Sequence, residues 1–391
     1  MISVFKALQI VELAELKPKT QKLELSDSFN KILAQDITSP INMPPFRQSA
    51  MDGYAFKLSD SKSYKLVAES KAGDNNKIRL KAGQAARIFT GALVPDEADT
   101  VVIQEHVNRS NNTIIINKLP KRTANVRPIG EQVQKGEIVL KKGQQLNAAA
   151  IGFLAGIGIP EVLVHKTPRV AIIVTGNELQ QAGKDLEAGK IYESNSIMLS
   201  SALKTTGITN ILTLRTKDTF DATKSVISEA LENSDVVLVS GGISVGDYDF
   251  VQEALKDNGV NELFYKVNQK PGKPLWFGRK NDQFVFGLPG NPASALSCFY
   301  IYVTPLLNKM NGAKDIHLKR IKAKSLTDYK NTTGKTLFLK GMLNENMVEI
   351  LYGQQSSMLH SFAKSNVLVR IPNEMELLNK NDDVECISLN I

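Results

Sequence analysis

Two turns in the middle of the chain combine glycine with carboxylates, and each turn directly follows a continuous apolar run. The first turn follows RVAIIVTG and contains Glu178, and the second follows DVVLVSGG and contains Asp247 and Asp249. Backbone N–H groups at such turns bind phosphate, and carboxylates beside a phosphate favour Mg²⁺. Either turn alone could be an ordinary strand-to-helix connection. Two such turns in one sheet favour a site for a phosphorylated ligand and a metal ion.

The segment KPGKP provides cations that such a ligand would need. It places Lys270 and Lys273 on a rigid Pro-Gly turn, and fixed cations suit a phosphate or another oxyanion. A solvated surface turn would have the same sequence, so this segment is informative only together with the glycine turns. The chain has no GxGxxG or GxxxxGK[ST] motif, and dinucleotide and P-loop functions are therefore disfavoured.

The composition is ordinary for a globular protein, with 391 residues, 42% apolar and 23% charged. The formal net charge is +8, but the lysines are spread along the chain without an aromatic ladder, which disfavours nucleic acid. The charge indicates either a solvated basic surface or a small anionic substrate. The start, ISVFKALQIVELAEL, has the pattern of an amphipathic helix rather than a signal peptide or membrane span. The sequence therefore predicts a cytoplasmic protein with no membrane and no nucleic-acid partner.

The pattern of apolar residues changes along the chain and predicts the structural units that position these motifs. Residues 64–140 contain short β-rich runs between turns, which predicts a small all-β unit. From residue 169, buried apolar strands alternate with helical stretches, which predicts a parallel sheet with right-handed crossovers. After Gly312 the pattern predicts a small terminal β domain. Near the start, a first helix is expected to end near Lys17-Pro18, and a short helix is expected within SDSFNKILAQDI.

The ends of the apolar strands are the expected place for a ligand, because ligands of open α/β sheets bind beyond the carboxyl ends of the strands. Both glycine turns lie at such ends. The segment LPGNPAS begins a further helix, with Asn291 suited to the N-cap and Pro292 to the first helical position.

Eight motifs in this order closely resemble those of the MoeA family of molybdopterin molybdenumtransferases, which is related to the insertase domain of gephyrin. They are PPFRQSAMDGYAF, RIFTGALVPDEADTVV, VTGNEL, IYESNS, SGGISVGDYDF, KPGKP, GLPGNPAS and QQSSMLHSFAKSNVLV. The match covers nearly the whole chain. The resemblance implies an elongated homodimer in which each α/β multidomain subunit has four domains. These would be a linking α+β domain at 17–44 and 141–168, a small β domain at 45–140, a three-layer α/β molybdopterin-binding domain at 1–16 and 169–313, and a C-terminal β-barrel at 314–391.

The resemblance also implies a reaction. The substrate would be adenylylated molybdopterin, and the enzyme would hydrolyse the adenylate with Mg²⁺ and insert molybdate into the dithiolene, releasing molybdenum cofactor and AMP. The active site would be a cleft that uses parts of both subunits. A molybdopterin adenylyltransferase would act upstream and molybdoenzymes downstream. The usual TGGTG turn of that adenylyltransferase differs from SGGIS in this chain, which favours the insertase.

The site residues follow from the motif positions. The resemblance implies catalytic roles for Asp52, Thr90, Glu178 and Asp249, and the expected Mg²⁺ ligands are Asp52, Glu178 and Asp249. Asp52 would hold metal or water while facing the α/β domain of the partner subunit, or would only order its own loop. The expected substrate-binding residues are Thr175, Gly176, Ser240, Gly241, Gly242, Lys270, Lys273, Pro289, Asn291, Pro292, Lys340, Ser356, Ser357 and Ser361.

Four positions depart from the usual residues of the family. Gln132 stands for an Asp, Glu193 for an Asp, Asp247 for a Glu, and Lys340 for an Arg. Lysine lacks the bidentate geometry of arginine, and the Gln removes one negative charge from the cleft. The alternative is therefore a molybdopterin-binding or scaffold homologue of the same fold with weakened catalysis. The presence of the expected carboxylates and of both KPGKP lysines favours the enzyme.

Overall fold

The computed structural model describes residues 1–75, 77–243 and 250–389. Asp247 and Asp249, the carboxylates predicted after the second glycine turn, lie outside the described residues. Among the helices of the described ranges, none is long and apolar enough to cross a membrane.

A mixed β-sheet lies at the centre of the α/β part of the chain. In spatial order its strands are Ile211–Thr216, Val170–Thr175, Val236–Ser240, Gln283–Leu288, Trp276–Lys280 and Asn261–Tyr265. The first four strands run parallel to one another. The strands 170–175 and 236–240 are buried along their whole length, as expected for parallel strands covered on both faces.

Two antiparallel strands at one edge correct the prediction of a parallel sheet. Only Asn281 and Asp282 join the strands 276–280 and 283–288, and Lys280 pairs with Gln283. A two-residue connection makes a hairpin, whereas a parallel pair needs a crossover of a dozen or more residues. Asn281 has a φ of 53°, the left-handed conformation that such tight turns require.

Helices cover both faces of this sheet. The helices on one face are Val4–Leu13, Asn195–Thr205, Pro292–Cys298 and Thr304–Met310, and those on the other are Phe220–Asn233 and Val251–Asp257. Ile172 and Val174 pack against the first group, and Ala171 and Ile173 pack against the second, because side chains alternate between the faces of a strand. The predicted three-layer α/β architecture is confirmed.

A second sheet forms the small β unit. In spatial order its strands are Thr100–Ile103, Gly53–Phe56, Gln84–Ile88, Ser63–Ser70, Thr113–Ile116 and Val107–Ser110. Apolar clusters lie on both of its faces, with Ile88 and Val101 in one cluster and Phe56 and Tyr64 in the other. A 3-10 turn, Gln104–His106, connects two of the strands.

Short strand pairs and one helix build the segment between the β unit and the α/β sheet. The pairs are Thr20–Glu24 with Glu161–His165, Ile37–Thr38 with Ile138–Leu140, and Gln48–Ser49 with Val126–Arg127. The helix Ala148–Gly156 begins at Asn147, whose side chain accepts a hydrogen bond from the Ala150 N–H, as N-cap residues do.

The C-terminal strands close on themselves into the predicted β-barrel. In the described residues the closed ring is Thr336–Asn344, Met347–Ile350, Arg320–Ser325, Asp383–Ser388 and Val367–Ile371. The short strand Gln269–Lys270, from the α/β part, adds to the strand 336–344. A second short pair, Tyr329–Lys330 with Leu377–Leu378, and the helix Leu359–Ala363 complete this region.

The helix predicted within SDSFNKILAQDI is wrong. The chain makes only a 3-10 turn, Leu25–Asp27, and then Asn30 adopts a φ of 61°. Leu33, which is fully buried, forms an isolated bridge with Val164. Pairing with a distant strand therefore overrides the local helical pattern in this segment.

The first helix ends at Leu13 rather than near Lys17. Lys309 Nζ donates hydrogen bonds to the carbonyl oxygens of Glu12 at 2.5 Å and Ala14 at 2.7 Å. A cation that satisfies the last carbonyls stabilises a helix end at this point.

Candidate functional site

A cleft of about 690 Å³ lies at the carboxyl ends of the parallel strands. The predicted site residues that line it are Thr175, Gly176, Glu178, Ser240, Gly241, Gly242, Pro289, Asn291, Pro292 and Ser357. Both glycine turns and the start of the LPGNPAS helix therefore line the same cleft. This cleft lies where ligands of α/β sheets bind.

The turn after strand 236–240 needs glycine at two successive positions. Gly241 has a φ of 100° and Gly242 a φ of 60°. A Cβ on Gly241 would lie 2.7 Å from the Thr175 carbonyl oxygen, and one on Gly242 would lie 2.8 Å from Val251 Cγ2. Both the backbone conformation and the close packing exclude a side chain, so the backbone of this turn forms the cleft surface.

Asn195 fixes the turn from the opposite side and was missed by the sequence analysis. Its Nδ2 donates hydrogen bonds to Ser240 Oγ at 2.8 Å and to the Gly290 carbonyl oxygen at 2.7 Å. Asn195 thus links two loops of the cleft wall. The signal was present, because Asn195 lies in the IYESNS motif at the start of a predicted helix.

Asp218 is a second cleft residue that the sequence analysis missed. One of its carboxylate oxygens accepts a hydrogen bond from the Thr175 hydroxyl, and the other accepts one from the Asn177 N–H at 3.0 Å. Asp218 follows the strand 211–216, which is also a parallel strand of the sheet. Extending the strand-end rule to this third strand would have found it.

Glu193 is buried in the cleft wall and has a local partner. Its carboxylate accepts hydrogen bonds from the Ser196 N–H at 2.7 Å and from the Ser196 hydroxyl, and Arg215 Nη2 lies 3.4 Å away. A carboxylate at a helix N-terminus satisfies an otherwise unpaired N–H. The departure from Asp at this position thus leaves Glu193 stabilising the start of the helix 195–205.

Asn291 precedes the helix 292–298 as predicted, but its side chain does not cap that helix. Instead Asn291 Nδ2 donates a hydrogen bond to Ser356 Oγ at 2.9 Å, and the Ala293 N–H donates one to the Ser356 carbonyl oxygen at 3.1 Å. The segment 355–357 is therefore held at the cleft by hydrogen bonds from the first residues of the helix 292–298 and from the residue before it.

A second cavity of about 360 Å³ lies on the other side of this segment. Lys270 and Ser356 line it, together with Lys330, whereas the neighbouring Ser357 lines the first cleft. No carboxylate is among the described residues that line the second cavity. Lys273 lies outside both linings, although its neighbour Pro274 lines the first cleft, and its side chain is exposed.

Lys340 is buried behind the segment 353–358 rather than exposed to either cavity. Its Nζ donates hydrogen bonds to the carbonyl oxygens of Gly353 at 2.7 Å, Gln355 at 3.2 Å and Met358 at 3.1 Å. Burial lowers the pKa of Lys340 to about 8. An ammonium group has three donors, so a direct contact between Lys340 and substrate would require one of these bonds to break.

Ser361 bonds to two of the same backbone carbonyl groups as Lys340. Its hydroxyl donates hydrogen bonds to the Gly353 carbonyl oxygen at 2.6 Å and the Met358 carbonyl oxygen at 3.1 Å. Ser361 is buried as well. Lys340 and Ser361 thus hold the segment 353–358, which carries Ser356 and Ser357.

Asp52 and Thr90 lie together in the small β unit, and neither lines the two cavities of this chain. Asp52 Oδ1 accepts hydrogen bonds from the Thr90 N–H and the Thr90 hydroxyl, both at 2.8 Å. These bonds, and the nearby positive charge of Arg87, lower the pKa of Asp52 below its ordinary value of 3.8. The Asp52 carboxylate is exposed and ionised.

The acidic side chains do not form a preassembled metal site among the described residues. In the part of the chain that the structure describes, no group of three or more His, Cys, Asp or Glu side chains could hold a metal ion. Glu178 lies at the cleft, and its carboxylate forms no hydrogen bond within the described residues. A carboxylate without a partner among the described residues, beside glycine turns whose N–H groups could bind phosphate, fits Mg²⁺, which protein carboxylates and substrate phosphates commonly share.

Three family descriptions match the chain in sequence order. The MoeA N-terminal region (domain I and II) matches residues 2–158, the probable molybdopterin binding domain matches residues 171–309, and the MoeA C-terminal region (domain IV) matches residues 322–389.

Curated relatives and solved structures agree with these matches. The molybdopterin molybdenumtransferase of Haemophilus influenzae is 37% identical over 381 residues, covering 94% of this chain and 93% of that protein. The corresponding protein of a Nostoc species is 36% identical over 391 residues, covering 95% and 89%. Two crystal structures of a molybdopterin biosynthesis MoeA protein from Pyrococcus horikoshii have TM-scores of 0.87 and 0.82 at 29% and 28% identity. They cover 99% of this chain, and 99% and 100% of those chains.

Fold, cleft and matches together define a multidomain transferase built around a molybdopterin-binding α/β domain. The chain belongs to the MoeA family of molybdopterin molybdenumtransferases. The predicted family, fold class and enzyme class, a transferase of molybdenum cofactor biosynthesis, are therefore confirmed.

Proposed function

We propose that the chain inserts molybdenum from molybdate into adenylylated molybdopterin and hydrolyses the adenylate, giving molybdenum cofactor and AMP. The observation that carries this proposal is the pair of neighbouring cavities on either side of Ser356 and Ser357. One cavity has glycine turns suited to phosphate, and the other has lysine side chains without a lining carboxylate. A phosphorylated pterin and a free oxyanion would thus lie side by side.

The chemistry of the two cavities supports this division. Backbone N–H groups of the turn 240–242 would bind the substrate phosphate. Molybdate is a tetrahedral dianion, for which Lys270 and Lys330, with the Ser356 hydroxyl, supply charge-assisted and neutral hydrogen bonds. Lys273 would bind from the exposed end of the same turn. Lys340 acts indirectly, because it holds the backbone of the segment between the cavities.

Glu178 would hold Mg²⁺ together with the substrate phosphates, and the ion would neutralise charge that develops on the phosphate during hydrolysis. The other two expected Mg²⁺ ligands are not among the described residues that line the cleft. Asp249 lies outside the described residues, and Asp52 is on the small β unit.

We also propose that a second copy of the chain completes the cleft. Asp52 is exposed and ionised, and it accepts two hydrogen bonds from Thr90. It nevertheless lines neither the cleft nor the second cavity described above. Cyclic pairs of identical subunits are the commonest oligomers, and a composite site would bring Asp52 of one subunit to Glu178 of the other. An adenylyltransferase would supply the substrate, and molybdoenzymes would receive the product.

The test is AMP release from adenylylated molybdopterin, with molybdate and Mg²⁺ present or omitted. Release that depends on molybdate supports the proposal. Tight binding of the pterin without AMP formation would instead identify a binding or scaffold homologue and would reject the enzymatic proposal.

A further inference from the structure

A buried polar cluster lies directly beneath the turn that carries Lys270 and Lys273. Its members are Gln269, Cys298 and Tyr302, each with 0% exposed surface. Buried polar groups are costly unless they are hydrogen-bonded. The partners of this cluster therefore indicate what it stabilises.

The Gln269 side chain bonds to the backbone of the turn. Its Nε2 donates hydrogen bonds to the carbonyl oxygens of Pro271 at 3.1 Å and Gly272 at 3.3 Å. The Tyr302 hydroxyl donates a hydrogen bond to Gln269 Oε1. Because the two carbonyl oxygens can only accept, the amino group of Gln269 must face the turn and its oxygen must face Tyr302.

The turn also packs tightly against this cluster. Gly272 has a φ of 85°, and a Cβ there would lie 2.4 Å from Cys298 Sγ and 2.9 Å from Gln269 Nε2. Cys298 Sγ additionally lies 3.7 Å from the Gly272 carbonyl oxygen as a weak donor. The backbone between the two lysines thus packs against the cluster so closely that a side chain at position 272 would not fit.

The same cluster connects the turn to the cleft. Cys298 ends the helix Pro292–Cys298, whose first residue lines the cleft. Tyr302 lies in the π-helical segment Phe299–Val303 that follows, and π-helical segments within helices occur frequently at functional sites. One continuous helical element therefore contacts the cleft at its start and the lysine turn through Cys298 and Tyr302.

We propose that Gln269 and Tyr302 are positioning residues that fix the lysine turn beside the cleft, so that Lys270 and Lys273 meet the oxyanion in one geometry. Neither side chain contacts substrate. The inference rests on the proposed function, in which these lysines bind molybdate.

The test uses Tyr302→Phe, which removes one hydroxyl and leaves the acceptor of Gln269 buried without a donor. The matched control is Tyr64→Phe, because Tyr64 is also buried but lies in the small β unit, with its hydroxyl 2.9 Å from Ser59 Oγ. Two quantities are measured in both variants. The first is hydrogen exchange of the backbone amides in 270–275, namely those of Lys270, Gly272, Lys273 and Leu275, since the two prolines have no amide hydrogen. The second is the KM for molybdate in AMP release.

We expect faster exchange at 270–275 and a KM for molybdate raised about tenfold in Tyr302→Phe, with kcat at saturating molybdate within roughly twofold of wild type. Tyr64→Phe should leave both quantities unchanged. Gln269→Leu should act in the same direction, and adding Tyr302→Phe to it should have little further effect, since the two residues act as one unit.

Unchanged exchange and KM in Tyr302→Phe would overturn the inference, and so would an equal effect of Tyr64→Phe. If wild type releases no AMP, the proposed function is rejected and the positioning role is decided by the exchange measurement alone.

Discussion

Asp52 illustrates how one neighbour sets the protonation state of an exposed carboxylate. Thr90 supplies two hydrogen bonds that stabilise the ionised form and lower its pKa. For a carboxyl group with a lowered pKa, this stabilisation is fully present above the ordinary value of 3.8 and is lost as the pH falls through the lowered value. At neutral pH the carboxylate is therefore ready to bind a cation or a water molecule.

Replacing Asp52 with Ala should slow AMP release by roughly 10²–10⁴-fold, because losing a carboxylate that holds metal or water should cost about as much as losing a positioned acid–base group. The melting temperature should change little, because the Asp52 side chain is exposed and, among the described residues, Thr90 is its one hydrogen-bond partner. The matched control is Asp96→Ala, which removes a fully exposed carboxylate from the same β unit. Turnover near the wild-type rate in Asp52→Ala would mean that Asp52 only orders its loop.

Lys340 predicts a pH dependence of stability. Its pKa is about 8 in the folded chain, and burial is the cause, against an ordinary value of 10.5. Between these values the unfolded chain binds a proton that the folded chain has lost, so the free energy of unfolding should gain a rising contribution over this pH range. Chemical denaturation of wild type and Lys340→Met as a function of pH measures it. An identical pH slope in both proteins would contradict the assignment.

The glycine turn 240–242 is the element on which the proposed phosphate site depends. Gly241→Ala should lower the free energy of unfolding by about 1–3 kcal/mol, because it adds backbone strain and a clash with the Thr175 carbonyl oxygen. It should also weaken pterin binding. Gly183→Ala is the control, since Gly183 has a similar φ of 95° with nothing within 4 Å of the added Cβ. Denaturation and pterin titration of both variants would separate strain from loss of the site, and equal pterin affinities would contradict the prediction.

The elements differ in how well sequence pattern could predict them. RVAIIVTG and DVVLVSGG are continuous apolar runs that end in glycine, so the strands 170–175 and 236–240 and the cleft at their ends follow from local pattern. SDSFNKILAQDI has a helical pattern, but Leu33 pairs with a strand more than a hundred residues away. The cleft residues Asn195 and Asp218 lie where a motif and a strand end could have indicated them, but their hydrogen-bond partners Ser240, Gly290 and Thr175 are distant in sequence and follow only from the sheet order. The burial of Lys340 depends on the path of the segment 353–358, which no local pattern indicates.

At the scale of the whole molecule, the predicted catalytic residues lie in two separate places of one chain. The described chain places the glycine turns and Glu178 at one cleft, and Asp52 with Thr90 on a separate β unit. A second copy that faces the cleft would explain why an ionised carboxylate lies exposed on the small β unit and lines neither of the two cavities described above.

Co-expression of Asp52→Ala and Glu178→Gln chains with different tags tests the composite site. Each homodimer should be inactive, but in a mixed dimer one of the two sites receives both wild-type residues. Random pairing should therefore restore roughly a quarter of wild-type activity, as expected for a two-fold symmetric dimer. Purified mixed dimers that remain inactive would place both residues in the same subunit's site, and activity in either homodimer would reject the role of the residue replaced in it.

The most direct test of the account is a crystal structure with adenylylated molybdopterin and molybdate, recorded at the molybdenum absorption edge. We predict anomalous density for molybdenum in the cavity lined by Lys270, Lys330 and Ser356, with the pterin phosphate at the turn 240–242 across the segment 356–357. Molybdenum bound elsewhere, with that cavity empty, would contradict it.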